Sequence, residues 1–513
     1  MKKYLVFAAA ASLFAACSND DGAVAGPQQE AQQTAGEVAV GFDAYVNRAT
    51  TRAGLTGDIT PTTLQTSGFG VFAYHTNADL YDQTFVPNFM YNQKVTYKAG
   101  SGTTDPGTWE YTPIKYWPNE FGQNALSEDV DKVSFFAYAP YVTVDAASGK
   151  VNGTQTDPSA ATYTGDDGDK TYGIVGMKSN SATGDPMVKY MASFYTNKQV
   201  DLTWGTVDKG SSTGTTISWN KKNGTSATQE LVIGKPWLDV EHPSATSTSW
   251  ATAQKVKFDF KHALARLNVT VDTKTNATTA VDNTTAPDAQ TRVFIRSVTF
   301  EGFDMKGALN LNNATANQAL WYNFDCLSEL NNGSEVTIKD GRTDGKEGVT
   351  AAAKEFVGIN PQFIQDGIWS DLTGTDDNKK KSGVIGKALN LFCKSDKTKA
   401  TNETDAIYVI PNNDPLKVTI EYDVLTKDDN LVGKLNDGTT KGSVVKNVIT
   451  RYITTTQTGQ QGSVTEPTSA FKLENGKQYT IKLHIGLNSV EFDAAVTAWD
   501  AAVIGEADLP HNN

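Results

Sequence analysis

Cysteine is scarce: Cys17, Cys326 and Cys393 are the only three in a chain of 513 residues. A disulfide-rich scaffold, in which paired thiols stand in for a core, is thereby excluded. Histidine is nearly as sparse. His75, His242, His262, His484 and His511 never fall at the spacing of a helical metal pair, and H-E-x-x-H does not occur. Gly386-Lys387 is followed by Ala388, and Lys381 stands where a phosphate-binding loop has its first Gly, so no nucleotide site is indicated. Positive charge is in deficit, with a formal net charge of −13 and no basic cluster interleaved with aromatics. Such a surface repels phosphate, and nucleic acid is excluded as a partner. The acidic turns Asp166-Asp167-Gly168-Asp169 and Asp340–Glu347 lack the full spacing of a calcium loop and read as solvated turns. No catalytic residue, metal or cofactor is expected. A glycosidase stays open as the enzymatic alternative, because carboxylate pairs meet only in space.

Long apolar runs are also missing, apart from Tyr4 to Phe14, which is too short to span a bilayer as a stable helix. It follows Lys2 and Lys3 and leads through Ala15 and Ala16 to Cys17. This is the layout of an export signal over residues 1–16. Leu13-Phe14-Ala15-Ala16-Cys17 resembles a bacterial lipobox, which implies cleavage before Cys17 and acylation of that residue. The alternative is an ordinary signal peptide with an incidental Cys. Acylation anchors a protein by ~0.8 kcal/mol per buried CH₂. Ser18-Asn19-Asp20-Asp21 resembles the surface-export signal of lipoproteins from Bacteroides-like bacteria. Export permits a disulfide between Cys326 and Cys393, worth ~4 kcal/mol. Two unpaired core thiols are the equal alternative.

What the chain does contain is strand pattern. Hydrophobic residues make up 39% and charged residues 20%, which suits a globular protein, and the length suggests two or more domains. After a Gln-rich tether, Val38, Val40, Phe42, Ala44 and Val46 fall on one face at period two, the pattern of a half-buried strand. Phe69–Tyr74 and Val133–Tyr138 both end in Phe-Ala-Tyr and are candidate neighbours in one sheet. Residues 142–182 read as a long excursion. Phe258, Phe260, His262 and Leu264 share one phase and Leu267, Val269 and Val271 the other, so a bulge or kink is expected near Ala265. His262 is expected to be packed and hydrogen-bonded. Further strands are expected at 293–300, 407–410, 418–422, 479–485 and 490–503, with short helices at 350–357 and 384–394. The expected fold is all-β with long loops, organised as a tether and first strand (17–52), an N-terminal sandwich (53–250) and a C-terminal sandwich (251–513).

The order of these pieces resembles the fimbrillin family, the subunits of type V pili and related surface proteins of Bacteroides-type bacteria. The matching pieces are the lipobox, the strand that leads to Arg52, Phe69–Tyr74, Lys115-Tyr116-Trp117-Pro118, Val133–Tyr138, Phe260–Leu267, Tyr408-Val409-Ile410-Pro411 and the closing strand with Trp499. The resemblance implies two transthyretin-like β-sandwich domains and a lipid-anchored outer-membrane precursor. It also implies assembly with other pilin subunits into a homopolymer at the cell surface, by strand exchange after cleavage at an Arg.

Arg52-Ala53 is the favoured cut and Arg48-Ala49 the alternative, both in a linker of small residues. Losing the first strand would expose an apolar groove and unpaired backbone groups, which a strand from elsewhere can cover. Val490, Phe492, Ala494 and Val496 alternate as the first strand does and form a candidate donor, or else simply the last strand of their own domain. The alternative function is a lipid-anchored binder of glycans or host ligands that does not polymerise, or a pilus tip or anchor subunit.

Overall fold

The computed structural model describes residues 38–46, 58–101, 107–118, 130–151, 172–193, 196–222, 226, 228–244, 254–273, 291–322, 389–390, 406–412, 414–434, 440–453, 457–460, 462–468, 471–485 and 490–498. Within them the chain forms 24 strands and one helix, and the fold is all-β.

The first sheet has eight strands. Across it run Phe42–Val46, Val256–His262, Thr203–Val207, Lys132–Ala139, Phe69–Asn77, Met90–Lys98 and Thr108–Glu110, and Trp237–Glu241 also pairs with Lys132–Ala139. The two strands containing Phe-Ala-Tyr are indeed neighbours, antiparallel, with Phe72 opposite Phe136. Both are apolar on both faces because both faces are covered. Val71, Ala73, Phe135 and Ala137 join one core with Phe42, Phe258 and Trp237. Phe72, Tyr74, Phe136 and Tyr138 join a second core that continues to Leu267, Tyr408 and Tyr479. A sheet buried on both sides needs a continuous apolar run rather than an alternating one.

The second sheet has seven strands. In spatial order they are Phe303–Asp304, Ile407–Pro411, Ala265–Thr273, Lys477–Ile485, Val490–Ala498 and Gln457–Gln460, with Leu389–Asn390 added to Ala265–Thr273. Thr291–Glu301, Lys417–Lys427 and Gly442–Tyr452 make a three-stranded sheet. The phase change near Ala265 is a corner: the chain leaves the first sheet after His262, passes Ala263 and Leu264 fully buried, and enters the second at Ala265.

The expected division at 250/251 lies ahead of Val256–His262, a strand hydrogen-bonded into the first sheet. It is also bridged where Met187–Met191 pairs with Lys306–Asn310. Part of the excursion at 142–182 is a strand, Gly173–Met177, on the far side of Met187–Met191. The helix expected at 384–394 is corrected at Leu389–Asn390, which is a strand on Thr270 and Val271: a long-range ladder overrides local helical propensity. The other expected helix, 350–357, lies outside the described residues. The helix that is present, Pro61–Ser67, has Thr60 as its N-cap in a capping box with Thr63 and Pro61 in its first turn. It ends at Gly68, where φ is +67° and a Cβ would sit 2.5 Å from the Val95 carbonyl oxygen.

Candidate functional site

The site begins with the first strand. Its apolar face is buried as the alternation requires: Val40 and Phe42 are each 1% exposed, Val38 and Val46 are buried, and Ala44 packs partly buried against the same core. Burial of each Val or Phe is worth roughly 1.5–3 kcal/mol. The Phe42 ring sits among Phe69, Tyr111, Phe135 and Phe258, with centroids 5.3–6.4 Å away.

The backbone of this strand changes partner midway. Residues 38–40 lie antiparallel to 115–117: Val40 N–H donates to the Lys115 carbonyl and Trp117 N–H to the Val38 carbonyl, each at 2.8 Å. At Gly41 the pairing switches, and Gly41 accepts from Val256 N–H at 3.0 Å. Phe42–Val46 then runs parallel to Val256–Phe260 at the edge of the first sheet. The Tyr111 hydroxyl donates to the Val40 carbonyl at 2.8 Å and accepts from Lys115 N–H at 3.2 Å, so it clasps the strand to the 111–117 segment. Burial pushes the Tyr111 hydroxyl well above the ordinary tyrosine range. On the rim, Lys255 Nζ lies 3.4 Å from Asp43 Oδ1.

Just past the linker, a polar cluster holds the chain to the body. Asp58 is paired with Arg266 Nη2 and accepts from the Tyr408 hydroxyl. Arg266 also donates to Gln478 at 3.2 Å and lies 5.9 Å over the Tyr408 ring. The next residue, Ile59, donates its N–H to Asp201 at 3.1 Å, and the same Asp201 oxygen is 2.6 Å from His262 Nδ1. Asp58, Asp201, His262, Arg266 and Tyr408 are all buried. Burial opposes the Arg266 charge, but the Asp58 carboxylate and the Tyr408 hydroxyl together outweigh it and hold the guanidinium above its ordinary range. Burial first, and then the Asp58 charge, push the Tyr408 hydroxyl far up. Asp58 and Ile59 are thereby tied to strands of both large sheets.

The closing strand, expected over 490–503, is present over Val490–Ala498 and lies between Lys477–Ile485 and Gln457–Gln460; residues 499–503 lie outside the described residues. Val490 pairs with Ile485 and Phe492 with Leu483. Ala494 is buried, whereas Val496 is 38% exposed. Cys17, Arg48, Ala49, Arg52, Ala53, Cys326, Cys393 and the acidic turns at 166–169 and 340–347 lie outside the described residues. The structure thus brings Val38, Val40, Phe42, Ala44 and Val46 together in one groove and places the 490–496 series in another sheet. Sequence reasoning missed Tyr111, Lys255 and the Asp58–Arg266 pair. The aromatic run around Trp109 and Trp117 was the one signal for the clasp.

Among the described residues, no group of three His, Cys, Asp or Glu side chains could hold a metal ion, and no helix is long and apolar enough to cross a membrane. Gly210-Ser211-Ser212-Thr213-Gly214 spells G-x-S-x-G. It is a turn between two strands, with Ser212 Oγ donating to the Thr216 carbonyl at 3.1 Å, and not the strand-to-helix turn of a nucleophile elbow.

No family model matches the chain. Over 105 residues it is 34% identical to fimbrium subunit Fim1C of Phocaeicola vulgatus, a match that takes in 20% of this chain and 23% of that protein. The likeness to fimbrial subunits noted from the strand motifs is therefore present in a curated relative, whose length this chain matches for about a quarter. Among solved structures, a candidate cell adhesion protein from Bacteroides uniformis is 14% identical, covering 91% of this chain and 100% of that one, with a TM-score of 0.31. A fimbrilin from Porphyromonas gingivalis W83 is 9% identical, covering 90% and 98%, with a TM-score of 0.32.

Proposed function

We propose that this chain is a structural subunit of a cell-surface fimbria, made as a lipid-anchored precursor, polymerising by proteolysis-triggered strand exchange and supporting adhesion. The observation that carries the reading is the seating of the first strand. It lies at the edge of a sheet, fills an apolar groove with Val38, Val40, Phe42 and Val46, and is separated from the body by the linker that holds Arg48 and Arg52. Cleavage after Arg52 leaves the strand attached by noncovalent contacts alone. The Asp58 cluster lies six residues beyond that cut, so the body keeps its own new end in place when the strand departs. The emptied groove offers unpaired N–H and C=O groups and an apolar floor, which together select an extended, alternating segment. No catalytic residue takes part, and the outer membrane is a partner through acylated Cys17 until cleavage.

The N terminus of the mature protein taken from the cell surface tests this. A start at Ala53, or at Ala49, is the expected result. A start at acylated Cys17 on fibre-borne protein would overturn the reading.

A further inference from the structure

The three-stranded sheet has an open edge. Gly442–Tyr452 pairs on one side with Lys417–Lys427, over eleven residues and without a register shift. On its other side, among the described residues, only its two ends are engaged. Gly442 N–H donates to the Gly433 carbonyl at 2.9 Å, and Tyr452 exchanges hydrogen bonds with Ser463 at 2.8 and 3.0 Å. Residues of an antiparallel strand turn their backbone groups alternately to one neighbour and to the other. Val444, Lys446, Val448 and Thr450 are in step with Gly442 and Tyr452, so their N–H and C=O groups point outward as well. The Thr450 carbonyl is met by the Arg451 guanidinium at 2.8 Å, which leaves it a second lone pair.

Proteins commonly blunt such edges with short strands, bulges, proline or charge. Several other edges here follow that rule. Thr108–Glu110, Phe303–Asp304 and Gln457–Gln460 are two to four residues long, and Thr291–Glu301 is broken by a register shift after Ile295. Gly442–Tyr452 has neither Pro nor an acidic side chain, and Lys446 is the one charged residue between 444 and 450. Apolar exposure gathers along it. Among the described residues nine large apolar side chains are exposed, and five belong to this edge. Val445 and Val448 lie on the strand at 55% and 66%, Leu431 and Val432 lead to Gly433, and Val464 follows Ser463. Val445 stands opposite Val424, on the face that packs on the core through Ile420 and Tyr422, and is nonetheless open. The apolar face of this sheet thus ends one strand short of being covered.

We infer that a second copy of this chain covers this edge, the two Gly442–Tyr452 strands pairing antiparallel about a two-fold axis at Asn447. The outward length 444–450 is centred on that residue. Lys446 then meets Val448 of the second copy, Val444 meets Thr450, and each outward N–H finds an outward carbonyl. On the core-side face Val445 meets Ile449 of the second copy. On the other face one row reads Glu421 and Val448, then Lys446 and Asp423 of the second copy, with no like charges side by side. An axis at Lys446 would set that residue against itself. An axis at Val448 would set Val444 against Tyr452, which Ser463 already occupies. The same patch serves both copies, as a closed two-fold contact requires. The two three-stranded sheets become one continuous sheet. The contact lies in a different sheet from the first-strand groove, so it stands apart from strand exchange and joins subunits through a face that exchange does not use.

The test uses the uncut full chain, in which the first strand is still in place and exchange cannot supply a contact. Sedimentation over a range of concentrations should show a monomer–dimer equilibrium. Val448→Lys should leave the melting temperature unchanged, since the position is open in the single chain, and should weaken the dimer ~10-fold, because a Lys then faces Lys446 of the second copy twice across the axis. Combining Val448→Lys with Lys446→Val exchanges the two residues, rebuilds the same opposed pair and should restore the dimer. Asn447→Cys should give an oxidised dimer linked through that position, located by mass spectrometry. A monomer at every concentration overturns the proposal. A dimer indifferent to Val448→Lys places the contact elsewhere and refutes this edge. Failure of the exchanged pair to restore the dimer overturns the register. A cross-link from position 447 to a different protein on whole cells would make that protein's strand the occupant and refute the second copy.

Discussion

Asp58→Asn is the most informative single change, because it removes one charge and almost no volume. Arg266 is 6% exposed, and its partner Asp58 is 7% exposed. The substitution leaves the guanidinium buried with its carboxylate gone and disturbs the acceptor of the Tyr408 hydroxyl. Breaking one side of a buried pair costs roughly 3–5 kcal/mol. At roughly 2–4 °C per kcal/mol for a unit of 150–250 residues, the melting temperature should fall by about 6–20 °C. Adding Arg266→Met, which removes the stranded charge while keeping most of the volume, should recover most of that loss. Calorimetry or denaturant unfolding of the precursor measures all three proteins. A loss below about 1 kcal/mol for Asp58→Asn would mean that the cluster is solvated and does not hold the chain beyond the linker. Failure of Arg266→Met to rescue would place the cost in packing rather than in the unpaired charge.

Tyr111→Phe removes the hydroxyl between Val40 and Lys115 while keeping the ring against Phe42, so the fold should survive with a loss of about 1–3 kcal/mol. After cleavage the 17–52 fragment should leave the variant faster, a rate readable by fluorescence of a labelled fragment; an unchanged rate would refute the clasp. Arg52→Ala should accumulate uncut, lipidated precursor, checked by mass spectrometry and electron microscopy, and normal fibres from it would exclude Arg52 as the essential cut. Burial raises the hydroxyls of Tyr74, Tyr138, Tyr190 and Tyr408 above the ordinary tyrosine value of about 10, and burial lifts Tyr479 to about 12. The unfolded chain therefore releases these protons first, so stability is complete below pH 10 and declines as pH rises toward the folded values. Tyrosinate absorbance should appear in step with unfolding; ionisation of these residues in a still-folded protein would contradict their burial.

Local periodicity showed the pieces of the site, and distance hid how they meet. Val38, Val40, Phe42, Ala44 and Val46 could be placed on one face because the strand period is two and the groove asks for every second residue. The pairing of Phe69–Tyr74 with Val133–Tyr138 was readable because both runs end in the same Phe-Ala-Tyr. The phase break near Ala265 was readable too, though not that it marks a passage between sheets. Other features had no local sign. Asp58 and Arg266 stand 208 residues apart, and neither has a neighbour in sequence that betrays a buried charge. Leu389–Asn390 looked helical because the ladder that extends it lies at Thr270 and Val271. Tyr111 gave an aromatic but no hint that its hydroxyl serves the backbone of Val40. The register of the first strand against Val256–His262 is parallel, so no hairpin turn announces it.

The change of partner at Gly41 has a kinetic consequence. A strand held along its whole length by one neighbour must break every bond before a replacement can settle. Here the load is divided: the front length hangs on 115–117, and the rear length on 256–260. An incoming segment can occupy one length as a toehold while the departing strand still covers the other. Under the proposed exchange, the barrier to replacement would then be that of half a strand at a time, so that the groove need not be emptied over its whole length at once.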